Sequence, residues 1–346
     1  MQKRILGRTG LEVSVLGLGG VFVSSLGADR PAGRETIQRA LELGVNYIDT
    51  ARSYADSEEV IGEAIQRAAP NTRPHISTKV GGWPVPFDPR DKIALRESFE
   101  ESLKALCCDS VDGLLVHEPD RPGLFDWWTD DEAAEGPVLE LLDELKNEGK
   151  IRFSGLGGTT AYELGNKVAT GRFDVVMTAF NYSLLWREAE HSILPEARAH
   201  NMGIVVGAPL QQGALALRYD DELASARWIS PPRRDQFRAL YALADDLEMG
   251  LPELGLRFVI SNPDISCVVV GSRSIAEIEK SVEAAEKGAL SGDVLAELDR
   301  ISAMVPFRPF EEPGGPFGLP FGRSYRGPGP LLGTSPVGGI AKGTQK

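Results

Sequence analysis

Eight times along this chain a short, unbroken apolar run gives way to a longer stretch whose apolar residues return every three or four positions. The runs are LEVSVLGLGG (11–20), NYIDT (46–50), HISTKV (75–80), VDGLLVHE (111–118), IRFSGLGG (151–158), FDVVMTAFNY (173–182), GIVVGAPL (203–210) and ISCVVVGS (265–272). The stretches that follow are RETIQRALELGV (34–45), SEEVIGEAIQRA (57–68), DKIALRESFEESLKAL (91–106), GPVLELLDELKNEGK (136–150), AYELGNKVATG (161–171), SILPEARAHN (192–201), RDQFRALYALADDLEM (234–249) and SIAEIEKSVEAAEKG (274–288). Leu139, Leu142 and Leu145 show the helical spacing, whereas runs rich in Val and Ile without alternation are what parallel strands buried on both faces require. Eight strand-then-helix units with no second composition regime imply an α/β fold, the parallel (β/α)8 TIM barrel. A doubly wound open sheet is the alternative, but it calls for a glycine-rich fingerprint after the first strand. GLGG at 17–20 is too short to serve.

Upstream, RILGRTGLEV reads as two short strands with a turn at Gly7 to Gly10, a β-hairpin plug for the barrel's bottom. Downstream, DVLAELDRISAMV (293–305) reads as one more helix. The chain therefore divides into a barrel over residues 1–305 and a Pro- and Gly-rich C-terminal extension over 306–346. That tail is either disordered or, through Phe307, Phe310, Phe317, Phe321 and Tyr325, packed on the barrel or on a second copy in a homo-oligomer.

A formal charge of -13 opposes a nucleic-acid surface and an anionic membrane alike. No apolar run nears the roughly 20 residues of a membrane span, and the start MQKRILGRTG has no apolar core of a signal peptide. Cys107, Cys108 and Cys267 are too few for a disulfide framework and fit a reducing cytoplasm. Among His75, His117, His191 and His200 none has a partner at metal-ligand spacing, so neither a metal site nor a metal-dependent hydrolase is expected.

Function in a parallel barrel gathers at the carboxyl ends of the strands. Read in order, those ends supply Asp49 and Tyr54 after the second strand, Lys79 on the third and His117 on the fourth. An ammonium beside a phenol stabilises phenolate and is expected to lower its pKa, and a carboxylate holds the lysine charged and in place. An imidazole beside the phenol can orient a carbonyl oxygen. Such a set moves a proton to or from oxygen while something else moves at carbon.

With those residues in hand, the chain resembles an aldo-keto reductase over roughly residues 3–305, through DTARSYADSEEVIGEAI, GKIRFSGLG and FNYSLLWREAE. The style of RILGRTGLEVSVLGLGG and GAPL is similar to the branch that oxidises aldoses such as fucose, or pyridoxal. The resemblance implies a nicotinamide cofactor stretched across the strand ends, hydride transfer to or from a carbonyl or alcohol carbon, and Asp49, Tyr54, Lys79 and His117 as the catalytic tetrad. Around the nicotinamide it points to Gly157 and Gly158, where many members place Ser-Asn, to Met177 in place of a glutamine, and to Gly207 in place of an aromatic shelf, followed by Pro209 and Leu210. At the adenosine end it points to Gly271, Ser272, Arg273, Glu277 and Ser281. Ser272 and Arg273 suit the 2′-phosphate of NADP, whereas Glu277 would suit the ribose of NAD; NADP is favoured and NAD stays open. Trp83, Trp127 and Trp128, with Trp186, are expected to wall a small-molecule carbonyl or sugar, and Asp126, Asp130 and Asp131 to accept from its hydroxyls. The departures leave one competing reading, a redox-silent regulatory barrel.

Overall fold

The computed structural model describes residues 1–68, 73–82, 87–121, 126–225 and 229–306. Its centre is a closed, all-parallel eight-stranded barrel, so the open doubly wound sheet is excluded. In chain order the barrel strands are β3 (Leu16–Gly19), β4 (Tyr47–Asp49), β5 (His75–Val80), β6 (Val111–His117), β7 (Ile151–Gly158), β8 (Val175–Ala179), β9 (Gly203–Gly207) and β10 (Cys267–Gly271). β10 pairs with β3 to close the ring.

The apolar run at 11–20 is two elements rather than one strand. Glu12–Ser14 (β2) pairs antiparallel with Lys3–Ile5 (β1), and only Leu16–Gly19 joins the barrel. Ser14 makes the break: its N–H donates to Asn46 Oδ1 at 2.6 Å and its hydroxyl donates to Leu16 O at 2.7 Å. The β1–β2 hairpin does plug the barrel, because Leu6, Leu11 and Val13 are buried against the inward side chains Tyr47, Phe153, Val175, Val205 and Cys267. Arg4 ties it down by donating to the carbonyls of Ile260, Asn262 and Ile265.

An outer apolar shell joins the strands to the helices α1 (Arg30–Glu42), α2 (Ser57–Arg67), α3 (Lys92–Ala105), α4 (Pro137–Asn147), α5 (Ala161–Ala169) and α6 (Ala189–Ala199). After β9 the helix expected at 234–249 exists as α8 (Pro231–Asp246), preceded by the short α7 (Asp220–Ser225), but it is not the barrel helix of its unit. That place belongs to α9 (Leu251–Ser261), which packs on β10 and on α10 (Ile275–Glu286) and buries Leu254, Phe258, Val259 and Ile260. α8 instead joins α11 (Gly292–Met304), with the Gln236 amide donating to Ile301 O and Ser302 O. The physical reason is α9's wide apolar face, which suits the inner shell better than the charge-rich α8. Among the described residues no helix is long and apolar enough to cross a membrane. Residues 307–346, which hold most of the expected tail, lie outside the described residues.

Candidate active site

Strand periodicity of two sends Tyr47 and Asp49 inward from β4, Ser77 and Lys79 from β5, Leu115 and His117 from β6, and Gly155 and Gly157 from β7. Register then sets Asp49 beside Ser77 and His117 beside Gly157. Four of the sequence-derived residues thus meet at the carboxyl rim. Lys79 Nζ donates to Asp49 Oδ2 at 2.5 Å and to Thr50 O at 2.8 Å. The other carboxylate oxygen accepts from Ser77 Oγ at 2.8 Å, and Ser77 in turn accepts from the Tyr47 hydroxyl. Lys79 Nζ lies 4.9 Å from the Tyr54 ring centre. The Tyr54 and His117 rings meet edge to face at 5.6 Å.

Every member is buried: Lys79 is 2% exposed, Asp49 3%, His117 6% and Tyr54 8%. Burial works against the Lys79 ammonium, but Asp49, with Tyr54, outweighs it and raises its pKa. The expectation of an acidified phenol needs correction. Burial pushes the Tyr54 phenol above its ordinary value, and the pull of Lys79 only partly offsets that rise. The hydroxyl therefore keeps its proton at neutral pH, as a proton donor must. Burial, followed by the charges of Lys79 and Arg121, drives the His117 imidazole down to about 3, so the ring is neutral. Its Nδ1 sits 3.2 Å from Ser53 Oγ.

Gly157 is closely approached: a methyl group there would lie 3.3 Å from Lys79 Cε. A methyl group at Gly158 would lie 2.6 Å from Asp120 Oδ2, inside contact distance, so the Asp120 carboxylate occupies the space a side chain at 158 would take. Met177 and Gly207 line the interior beside them, with Met177 Cε 3.8 Å from where a Gly207 side chain would begin. The segment after β9 is strained: Ala208, Gln211 and Gln212 all have φ near +50, a costly region for side-chain-bearing residues that persists where function or packing holds it. Pro209 and Leu210 lie within it, and the buried Gln211 amide ties it down by donating to Phe180 O at 2.7 Å.

At the end of β10, Gly271 packs under Phe22, and the Arg273 guanidinium lies 4.9 Å over that same ring. Ser272 is 1% exposed and its hydroxyl has no hydrogen-bond partner among the described residues. Glu277 sits at the start of α10. Its carboxylate accepts from the Arg273 N–H at 2.8 Å while its own N–H donates to the N-cap Ser274 Oγ at the start of α10. Ser281 donates to Glu277 O within the helix.

The expected substrate walls are corrected. Trp127 is fully buried against Phe87, and Trp128 is 6% exposed with its indole N–H donating to Pro119 O at 3.0 Å and its ring against Phe173. Trp186 is likewise buried, beside Phe237 and Arg233. Buried indoles of this kind pin their loops through the large apolar area each takes from water. Asp126 pairs with Arg90, Asp131 with Lys167, and Asp130 accepts from Ala133 N–H, so the three acids organise their own loop. Trp83 lies outside the described residues. Conversely, sequence reading passed over Ser53, Ser77, Asp120 and Gln211. Ser77 was within reach, since it stands two residues before Lys79 and so shares its face; the others depend on loop conformation.

A parallel barrel carrying a buried lysine–aspartate pair, a protonated phenol and a neutral imidazole at one rim has the form of a barrel oxidoreductase. The sequence model of the Aldo/keto reductase family matches residues 15–303, and the chain belongs to that family. It is 29% identical to L-galactose dehydrogenase of Arabidopsis thaliana, covering 87% of this chain and 94% of that protein. It is 26% identical to a putative voltage-gated potassium channel subunit beta of Schizosaccharomyces pombe, covering 88% and 94%. In fold it is similar to an aldo-keto reductase of Bacillus halodurans in its holo form, with a TM-score of 0.69 at 24% identity over 87% of this chain and 96% of that one. The protein is accordingly an enzyme of the oxidoreductase class, in a family whose members use NAD(P)H. One feature of the rim fits such a cofactor: the unsatisfied Ser272 hydroxyl beside the α10 N-terminus suits an anion.

Proposed function

We propose that this enzyme passes hydride between a nicotinamide and the carbonyl carbon of a small aldehyde, ketone or aldose, with Tyr54 giving the oxygen its proton in reduction and taking it back in oxidation. The single observation that carries this reading is the Asp49–Lys79 pair, joined at 2.5 Å beneath a buried phenol. The bound dinucleotide supplies or accepts the hydride. Lys79 holds positive charge beside the phenol and stabilises the phenolate left after proton transfer. Asp49, fixed by Ser77, keeps that charge in place. His117, neutral and braced by Ser53, orients the substrate oxygen without competing as an acid. Ser272 and Arg273 support NADP as the preferred cofactor. Glu277 accepts from the Arg273 N–H through one carboxylate oxygen, and its other oxygen keeps NAD use compatible with the site. The likeness to L-galactose dehydrogenase supports an aldose among the substrates.

The likeness to a potassium-channel subunit favours one rival, a barrel that binds a dinucleotide without turnover. Fluorescence titration with NADPH and NADH, followed by assays of aldoses, aromatic aldehydes and small ketones in both directions, separates the two. The expected result is tighter binding of NADPH and chelator-insensitive turnover of at least one class. Binding without any turnover would favour the rival, and binding of neither dinucleotide would overturn the nicotinamide reading.

A further inference from the structure

Tyr54 and Lys79 come from different parts of the chain, the phenol from the turn between β4 and α2 and the ammonium from β5. That turn is not held by regular structure. Ala55, next to Tyr54, has φ +49, a costly value for a residue with a side chain. The two ends of the turn are joined where Thr50 Oγ1 meets Ser57 Oγ at 2.8 Å, and Ser57 donates to Gly20 O at 2.8 Å. Its middle is tied through Arg52. Three carboxylates lie near that guanidinium: Glu58 Oε2 at 3.6 Å, Glu59 Oε1 at 3.5 Å and Glu101 Oε2 at 3.7 Å. The Glu59 and Glu101 side chains are 35% and 53% exposed, whereas that of Glu58 is 0% exposed. The pair with Glu58 is therefore the one least screened by water. Glu58 also reaches the strand, because its Oε1 accepts from Thr78 Oγ1 at 2.6 Å. Thr78 points outward from β5 immediately before Lys79, which points inward. One buried carboxylate thus joins the segment that carries the phenol to the strand that carries the ammonium, from the outer side of the barrel.

We infer that Glu58 is a positioning residue for the proton transfer: gripping Arg52 with one oxygen and Thr78 with the other, it sets the Tyr54 phenol over Lys79. It touches neither substrate nor cofactor and moves no proton. The inference rests on Tyr54 being the proton donor. The charged groups that act on the phenol are Lys79, Asp49 and Glu118, with the neutral His117 ring against its edge. Of these only Lys79 draws the phenol pKa down, so a phenol that slips from the ammonium titrates at higher pH.

Two variants cut the link from opposite ends. Glu58→Gln keeps the volume and the acceptor for Thr78 but takes the counter-charge from Arg52. Arg52→Met removes the guanidinium from a side chain that is 17% exposed. The test measures kcat, the dinucleotide dissociation constant and the pH profile of kcat/KM for carbonyl reduction, on the full chain. Each variant is expected to lose about tenfold or more in kcat, with the dissociation constant within about twofold. The alkaline fall of kcat/KM should move upward by about 0.5 pH unit or more. The double variant should do no worse than the single ones, since both cut one link. A role in folding alone would lower the urea midpoint and leave the alkaline fall where it stands. That result, or additive losses in the double variant, would overturn the inference, and Arg52→Met decides alone if Glu58→Gln does not fold. Tyr54→Phe keeps the two readings apart. If it retains the alkaline fall, the proton donor itself is wrong; if it lacks the fall while the Glu58 and Arg52 variants leave it unmoved, only the positioning link is lost.

Discussion

Tyr54→Phe is expected to slow turnover by about 10²–10⁴-fold, the range a positioned general acid supplies, while the dinucleotide dissociation constant stays within about twofold. The substitution removes one oxygen and leaves the ring, whose edge-to-face contact with His117 holds the local packing. Lys79 keeps two of its partners, Asp49 Oδ2 and Thr50 O, so its charge is still compensated and the fold is little disturbed. Stopped-flow measurement of the hydride step beside a fluorescence titration reads both quantities. A loss confined to affinity would mean that the phenol shapes the pocket rather than serving the chemistry.

Removing the ammonium is a different perturbation. Lys79→Met leaves Asp49 buried with Ser77 as its remaining side-chain donor, and breaking a buried pair in this way typically costs about 3–5 kcal/mol. The loss should depend on pH in a defined sense. Burial already raises the Asp49 carboxyl pKa in the folded protein, with Lys79 restraining the rise; removing Lys79 lets it rise further. A carboxyl with a folded pKa above its unfolded one adds stability below the unfolded value and loses it as pH climbs through the folded value. The variant should therefore be nearer normal stability at pH 5 than at pH 8 by urea unfolding. The double variant Asp49→Asn/Lys79→Met, having no orphaned charge, should regain about half of the loss or more and none of the activity. Equal destabilisation in the single and double variants would show that packing, rather than the ion pair, holds the core of the rim.

Much of this molecule could be read from its residues because its information is periodic. Unbroken Val- and Ile-rich runs at eight places force a parallel sheet buried on both faces, and the strand ends then bring Asp49, Lys79 and His117 to one rim. Reading failed where periodicity is silent. The run at 11–20 looks continuous, and only the hydrogen bonds of Ser14 divide it between hairpin and barrel. α8 and α9 both have apolar faces, and which one packs on β10 is decided by tertiary fit. The tryptophans look alike in sequence whether they face a ligand or a core; Trp128 belongs to the core because Pro119 O meets its N–H. Tyr54 was expected to be acidified because a neighbouring charge is visible in sequence, whereas the depth of burial that outweighs it is not. Asp120 escaped notice for the same reason, since its partners lie across a loop at Thr159 and Thr160.

The proton donor itself is best identified by the pH dependence of kcat/KM for carbonyl reduction. With the His117 imidazole held down to about 3 and the Tyr54 phenol held above its ordinary value, the profile should be level through the region around 6.5 where an ordinary histidine titrates. It should fall only on the alkaline side, and Tyr54→Phe should lack that fall. A descending limb near 6.5 that survives in Tyr54→Phe would assign the proton to an imidazolium and contradict the account.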